Sequence, residues 1–116
     1  IFFFFCIKSC IDQGIDKEKI IIDPGIGFGK SVDDNIKILE NINVLKSIHS
    51  NICIGSSNKR FSSKLFDGIE TKDDLKVANL ATFAVSSLRG ATYLRVHDVG
   101  ITKDTTMIID KVKNVS

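Results

Sequence analysis

The chain is constrained most by a recurring pattern: short runs of consecutive apolar residues, separated by longer stretches with helical periodicity. Ile20-Ile21-Ile22 lies in the first run, residues 19–23, and Ile52-Cys53-Ile54 in the second, residues 51–55. Tyr93, Leu94 and Val96 lie in the third, residues 91–96. Consecutive apolar positions predict strands covered on both faces. The intervening stretches predict helices over residues 4–13, stopped by Gly14, over 32–47 on Ile36, Leu39, Ile42 and Leu45, and over 75–89, stopped by Gly90. A short helix over 59–66 and a closing one over 104–113 complete the pattern, with Asp33 and the Lys103-Asp104 pair as candidate caps.

Strands that alternate with helices form βα units and a parallel sheet, because a parallel return needs a crossover. The expected fold class is α/β. Three strands cannot close a barrel, which takes eight, so further strands are expected upstream. The chain also opens inside an apolar run, Ile1-Phe2-Phe3-Phe4-Phe5, and its single Met is Met107, so it reads as a piece of a longer protein. With Pro24 as the only proline and no linker or repeat, residues 1–116 are expected to be part of one domain.

Several function classes are disfavoured. The apolar opening, expected to begin a buried helix, is broken by Lys8 and has neither the basic leader of a signal peptide nor the length of a membrane span. The net charge of +2 is spread evenly, which argues against nucleic acid as a partner. Cys6, Cys10 and Cys53 form no CxxC pair and are expected to be buried free thiols in a reducing cytoplasm. His49, in a helix-to-strand loop, is expected at the surface, at the end of the sheet away from the strand tips.

In parallel α/β folds, ligands bind at the C-terminal ends of the strands. The first end carries Asp23-Pro24-Gly25-Ile26-Gly27-Phe28-Gly29-Lys30-Ser31: a carboxylate able to accept N–H donors from a heterocycle, then glycines that let backbone approach a ligand. Gly29-Lys30-Ser31 matches the end of a phosphate-binding P-loop, but Pro24 stands where its first glycine belongs. The second end carries Gly55-Ser56-Ser57-Asn58-Lys59-Arg60, hydroxyls and cations suited to a carbonyl or an anion, with Lys59 the foremost candidate. At the third, Arg95 and His97 alternate with Val96, so an extended strand would aim both to one side as an anion site.

Taken in order, these three ends resemble the dihydropteroate synthase family, which shows a DPGxGFGK loop, a GxSRK loop and an RVHDV strand end with similar spacing. They stand here as Asp23 to Lys30, Gly55 to Lys59, and Arg95 to Val99. The resemblance covers nearly the whole chain and implies a (β/α)8 TIM barrel, of which these would be strands six to eight, with the N-terminal half absent.

The resemblance implies that pyrophosphate is displaced from a dihydropterin by p-aminobenzoate in the cytoplasm. It assigns Asp23 and Lys59 to the pterin ring and Arg95 to a place on or beside it. Arg95 and His97 would take the pyrophosphate, while Gly27, Phe28 and Ser57 would border the p-aminobenzoate pocket. Mg2+ would be held by a ligand in the missing half, and a homodimer remains open for the full-length protein. Asn58 departs from the family, which has Arg there, and puts the p-aminobenzoate side and the sulfonamide response in question. The alternatives are a methyltetrahydrofolate-type methyltransferase and a truncated or degenerate pterin-binding barrel. A half barrel exposes strand edges and apolar helix faces, so the chain by itself is expected neither to fold stably nor to catalyse.

Overall fold

The structure is a computed structural model that describes residues 2–27, 31–55 and 71–114. The expected helix over 59–66 lies outside these. Helix α1 spans Phe2–Asp12 and is followed by a short 3-10 turn, Lys17–Lys19. Next come α2, Val32–Glu40, and α3, Ile42–Ile48, then strand β1, Cys53–Ile54. Helix α4 spans Lys72–Leu88, β2 is Tyr93–Leu94, and α5 runs over Val99–Lys113.

The three apolar runs lie side by side and parallel, in sequence order. Ile22 bridges to Ile52, while Cys53 and Ile54 pair with Tyr93 and Leu94. Continuous hydrogen bonds cross the set: Cys53 N donates to the Ile22 carbonyl at 2.8 Å, Tyr93 N to that of Ile52 at 3.0 Å and Arg95 N to that of Ile54 at 2.9 Å. The Thr92 hydroxyl adds to the ladder by accepting from Ile52 N at 2.7 Å. The regular pairing is shorter than the sequence suggests, because the chain before Ile22 turns as a 3-10 helix and the chain after Leu94 leaves the ladder.

Among the described residues, helices cover one face of these strands. Ile22, Ile52 and Ile54 are buried against Ile7, Ile26, Leu39 and Ile42, whereas Ile21 and Tyr93, on the other face, are about half exposed. Alternation along a strand produces this division. The apolar opening also departs from a buried helix start: Ile7 is buried and Phe3 packs on the core, but Phe2, Phe4 and Phe5 project outward. Among the described residues, no helix is long and apolar enough to cross a membrane.

Three helix boundaries differ from expectation for local reasons. The stretch predicted as one helix over 32–47 breaks at Asn41, whose side-chain amide donates to the Lys37 carbonyl at 2.7 Å and competes with the helix ladder. Ser31, not Asp33, caps α2, accepting from Asp34 N at 3.1 Å. The closing helix starts five positions before Asp104, because Asp98 caps it by accepting from Ile101 N at 3.3 Å. Helix α4 begins with a capping box, in which Thr71 and Asp74 each accept the other's backbone N–H at 3.1 Å.

His49 is not at the surface. It is 2% exposed, and its Nε2 hydrogen-bonds the Ile20 carbonyl at the start of the first strand, the end away from the tips. The extended chain after α3 turns the ring inward, where it ties the helix layer to the strand layer. Replacing His49 with Ala leaves a cavity and takes from the Ile20 carbonyl its shorter hydrogen bond, leaving the longer one from the Asn51 amide at 3.5 Å, and should cost about 2–4 kcal/mol. Thermal denaturation of a full-length protein that carries this chain checks this: a loss below about 1 kcal/mol would mean that the ring packs no more tightly than a surface side chain.

Candidate functional site

The parallel ladder fixes the candidate site by bringing the strand ends to one edge. The first run ends at Asp23, and the turn after it uses Gly25 and Gly27, both at positive φ, 74° and 86°. Such angles strain any residue with a Cβ. Between them Ile26, 1% exposed, plugs the core and anchors the turn. Gly25 N donates to Asp23 Oδ1 at 2.8 Å, and Gly27 N donates to Asn35 Oδ1 at 3.0 Å. Asn35, 2% exposed on α2, therefore holds the glycine turn from beneath.

The third strand end returns to the first. Arg95 Nη1 donates to Asp23 Oδ2 at 2.9 Å, an ion pair across 72 positions of sequence. Its guanidinium crosses the second strand end by lying on Gly55, where an added Cβ would stand 2.5 Å from Nη2 and 2.7 Å from Cζ. All three tips thus meet in one contact. Cys53, one pleat below Gly55 on the same face, has its thiol pKa pushed up, first by burial, next by the charge of Asp23, with Arg95 opposing.

His97 lies apart from this contact. It lines a hollow of about 200 Å³ between α4 and α5 with Lys72, Lys76, Phe83 and Asp98, and Lys76 stands 3.9 Å from the Asp98 carboxylate. No hydrogen bond or ion pair joins His97 to Arg95 among the described residues; the strand has ended at Leu94, and the chain bends before α5. Gly27 lies in the turn beside Asp23. Phe28, Ser57 and Lys59, with Asn58, fall outside the described residues.

Two participants escaped the sequence reading. Asn35 carried a signal, a polar residue in helical register with the buried Leu39 and Ile42. Gly55 was visible only as a turn glycine; its role as a shelf for Arg95 needs the fold. The cysteines also differ from expectation, with Cys6 exposed and Cys10 and Cys53 only partly buried. Cys6 lies on the outward side of α1 with Phe2 and Phe5, which explains its exposure.

With this geometry established, comparison with known proteins identifies the family. The family of "Pterin binding enzyme" matches residues 2–97. The chain belongs to the pterin-binding enzymes. Among its curated relatives, the dihydropteroate synthase of Haemophilus influenzae is 34% identical over 107 residues, which is 92% of this chain and 38% of the relative. That of Escherichia coli K12 is 30% identical over 104 residues, 90% of this chain and 36% of the relative. The chain thus spans less than half the length of these relatives.

Solved pterin-binding enzymes superpose closely. The Xanthomonas albilineans dihydropteroate synthase in complex with 7,8-dihydropteroate is 35% identical, with a TM-score of 0.87 over 97% of this chain and 44% of that one. The Yersinia pestis enzyme with a sulfonamide drug complex is 28% identical, with a TM-score of 0.89 over 99% of this chain and 41% of that one. These neighbours are TIM-barrel enzymes, which agrees with the α/β class.

The resemblance places the magnesium ligand in the missing half; among the described residues no three His, Cys, Asp or Glu side chains gather as a metal site, and Asp23 is engaged by Gly25 and Arg95.

The raised Cys53 thiol gives a test of the contact. At a pH near 8, alkylation of Cys53 should lag behind that of the exposed Cys6, because less thiolate is present and access is poorer. Asp23→Asn removes the opposing negative charge, lowers the thiol pKa and should speed Cys53 alkylation, whereas Arg95→Ala should slow it. Mass-spectrometric labelling rates across pH measure both; equal rates in the two variants would place Cys53 away from the charge pair.

Proposed function

We propose that this chain is the part of a dihydropteroate synthase that carries strands six to eight of a (β/α)8 barrel. Residues 1–116 would then be the C-terminal portion of a single pterin-binding domain whose remaining strands lie upstream. The enzyme condenses 6-hydroxymethyl-7,8-dihydropterin pyrophosphate with p-aminobenzoate, giving 7,8-dihydropteroate and pyrophosphate in cytoplasmic folate synthesis. The observation that carries this reading is the convergence of Asp23, Gly55 and Arg95 at the tips of three parallel strands. The family match and the relatives' shared name support it.

In the reaction, the lone pair of the aromatic amine forms a C–N bond to the pterin's exocyclic methylene carbon as the C–O bond to pyrophosphate breaks. The nitrogen then releases a proton. An aromatic amine is nucleophilic when neutral, so positioning it against the carbon supplies much of the acceleration without a strong base. Charge accumulates on the departing pyrophosphate. Arg95 stabilises it, and His97, which lines the hollow between α4 and α5 in this structure, would join it by turning toward the same mouth.

Asp23 and Lys59 hold the pterin ring by accepting from its amino edge and donating to its carbonyl side. Gly27, Phe28 and Ser57 border p-aminobenzoate, the compound that sulfonamides imitate. A homodimer would cover apolar side chains that α5 leaves exposed, Met107, Ile108 and Val112.

The test is pyrophosphate release from dihydropterin pyrophosphate plus p-aminobenzoate, in a barrel completed by joining this chain to the upstream segment of a curated relative. The completed barrel should turn over, and Lys59→Ala or Arg95→Ala should abolish release, a loss of about a hundredfold or more. Near-normal turnover in either variant overturns the assignment.

A further inference from the structure

We propose that Arg95 is an exchangeable occupant of the Asp23 carboxylate, holding the position that the pterin's amino edge takes and leaving it when the ring binds. The inference rests on the pterin reading of the site and adds a step to it. Asp23 has two oxygens with different partners. Oδ1 accepts from Gly25 N at 2.8 Å, which orients the carboxylate within its own turn. Oδ2 accepts from Arg95 Nη1 at 2.9 Å. A guanidinium and a 2-amino-4-oxopyrimidine ring both present N–H groups flanking one carbon, so they compete for the same oxygen.

The shelf under the guanidinium makes this arrangement specific. Arg95 rests where a side chain at position 55 would begin, with Nη2, Cζ and Nε 2.5, 2.7 and 2.8 Å from a built Cβ. The pair is also open to exchange: the side chains are 56% and 32% exposed, so water and salt weaken it. A ring that binds Asp23 displaces Arg95, which becomes available to an anionic group at the same mouth. Conversely, an anion that draws Arg95 away uncovers Asp23. Ring and anion therefore favour each other's binding, since either one breaks the ion pair for both.

Salt dependence of a neutral ligand separates this exchange from ordinary contact. The probe is 6-hydroxymethylpterin, which carries no pyrophosphate, titrated by its fluorescence into the completed barrel at low and high KCl. If Arg95 must leave, salt loosens the pair and the neutral pterin should bind about two- to fivefold tighter at high salt. Arg95→Ala should abolish that response. Gly55→Ala, which keeps every charge but removes the shelf, should diminish it.

A salt response absent from the parent, or equally large in Arg95→Ala, overturns the exchange while leaving pterin binding intact. No pterin binding in any variant at any salt overturns the pterin reading itself, and the exchange with it. The pair can be read without ligand: the Arg95 guanidinium nitrogen resonances should shift on Asp23→Asn, and unchanged resonances also overturn the proposal.

Discussion

Everything that can act as a site here depends on one short stretch of parallel backbone pairing. Ile22, Ile52 and Ile54 accept hydrogen bonds from the neighbouring run while their side chains are buried in the helix layer. The ladder is brief, yet it aligns three chain segments so that they end at the same edge. Asp23 and Arg95 can therefore meet across 72 positions of sequence. Without that register, each would be an ordinary charged residue at a turn.

The first segment is held at both ends by polar side chains from the helix layer. His49, just beyond α3, reaches the Ile20 carbonyl, and Asn35, on α2, accepts from Gly27 N. Both are almost fully buried, where a hydrogen bond fixes position, although His49 Nδ1 has no partner among the described residues. The packed isoleucines between them supply cohesion without direction. The division is physical: apolar burial holds the layers together, while these side-chain hydrogen bonds add to the backbone ladder that sets the strand's register and hence where Asp23 stands.

Much of this was legible in the sequence because it rests on periodicity and punctuation. The three apolar runs, the helices stopped at Gly14 and Gly90, and the strand-end loops all follow from local chemistry. Local reasoning failed where a distant partner decides. His49 sits among serines and looks exposed until Ile20 lies beneath it. The opening phenylalanines look buried, but a helix that is apolar all round still turns only one side, Phe3 and Ile7, to this core. Asn41 splits a helix that the apolar period would continue, through a side-chain bond that periodicity does not register. For Arg95 and His97, a strict alternation assumes that the strand continues. Pairing ends at Leu94, so the two take separate directions.

Gly55 shows how a missing side chain can determine electrostatics. A methyl group there would occupy the space of the Arg95 guanidinium. The cation would have to lift away from the strand end, and among the described residues Asp23 would keep only its own turn as a hydrogen-bond donor. The placement of a full positive charge is thus decided sterically, by a residue with no charge of its own.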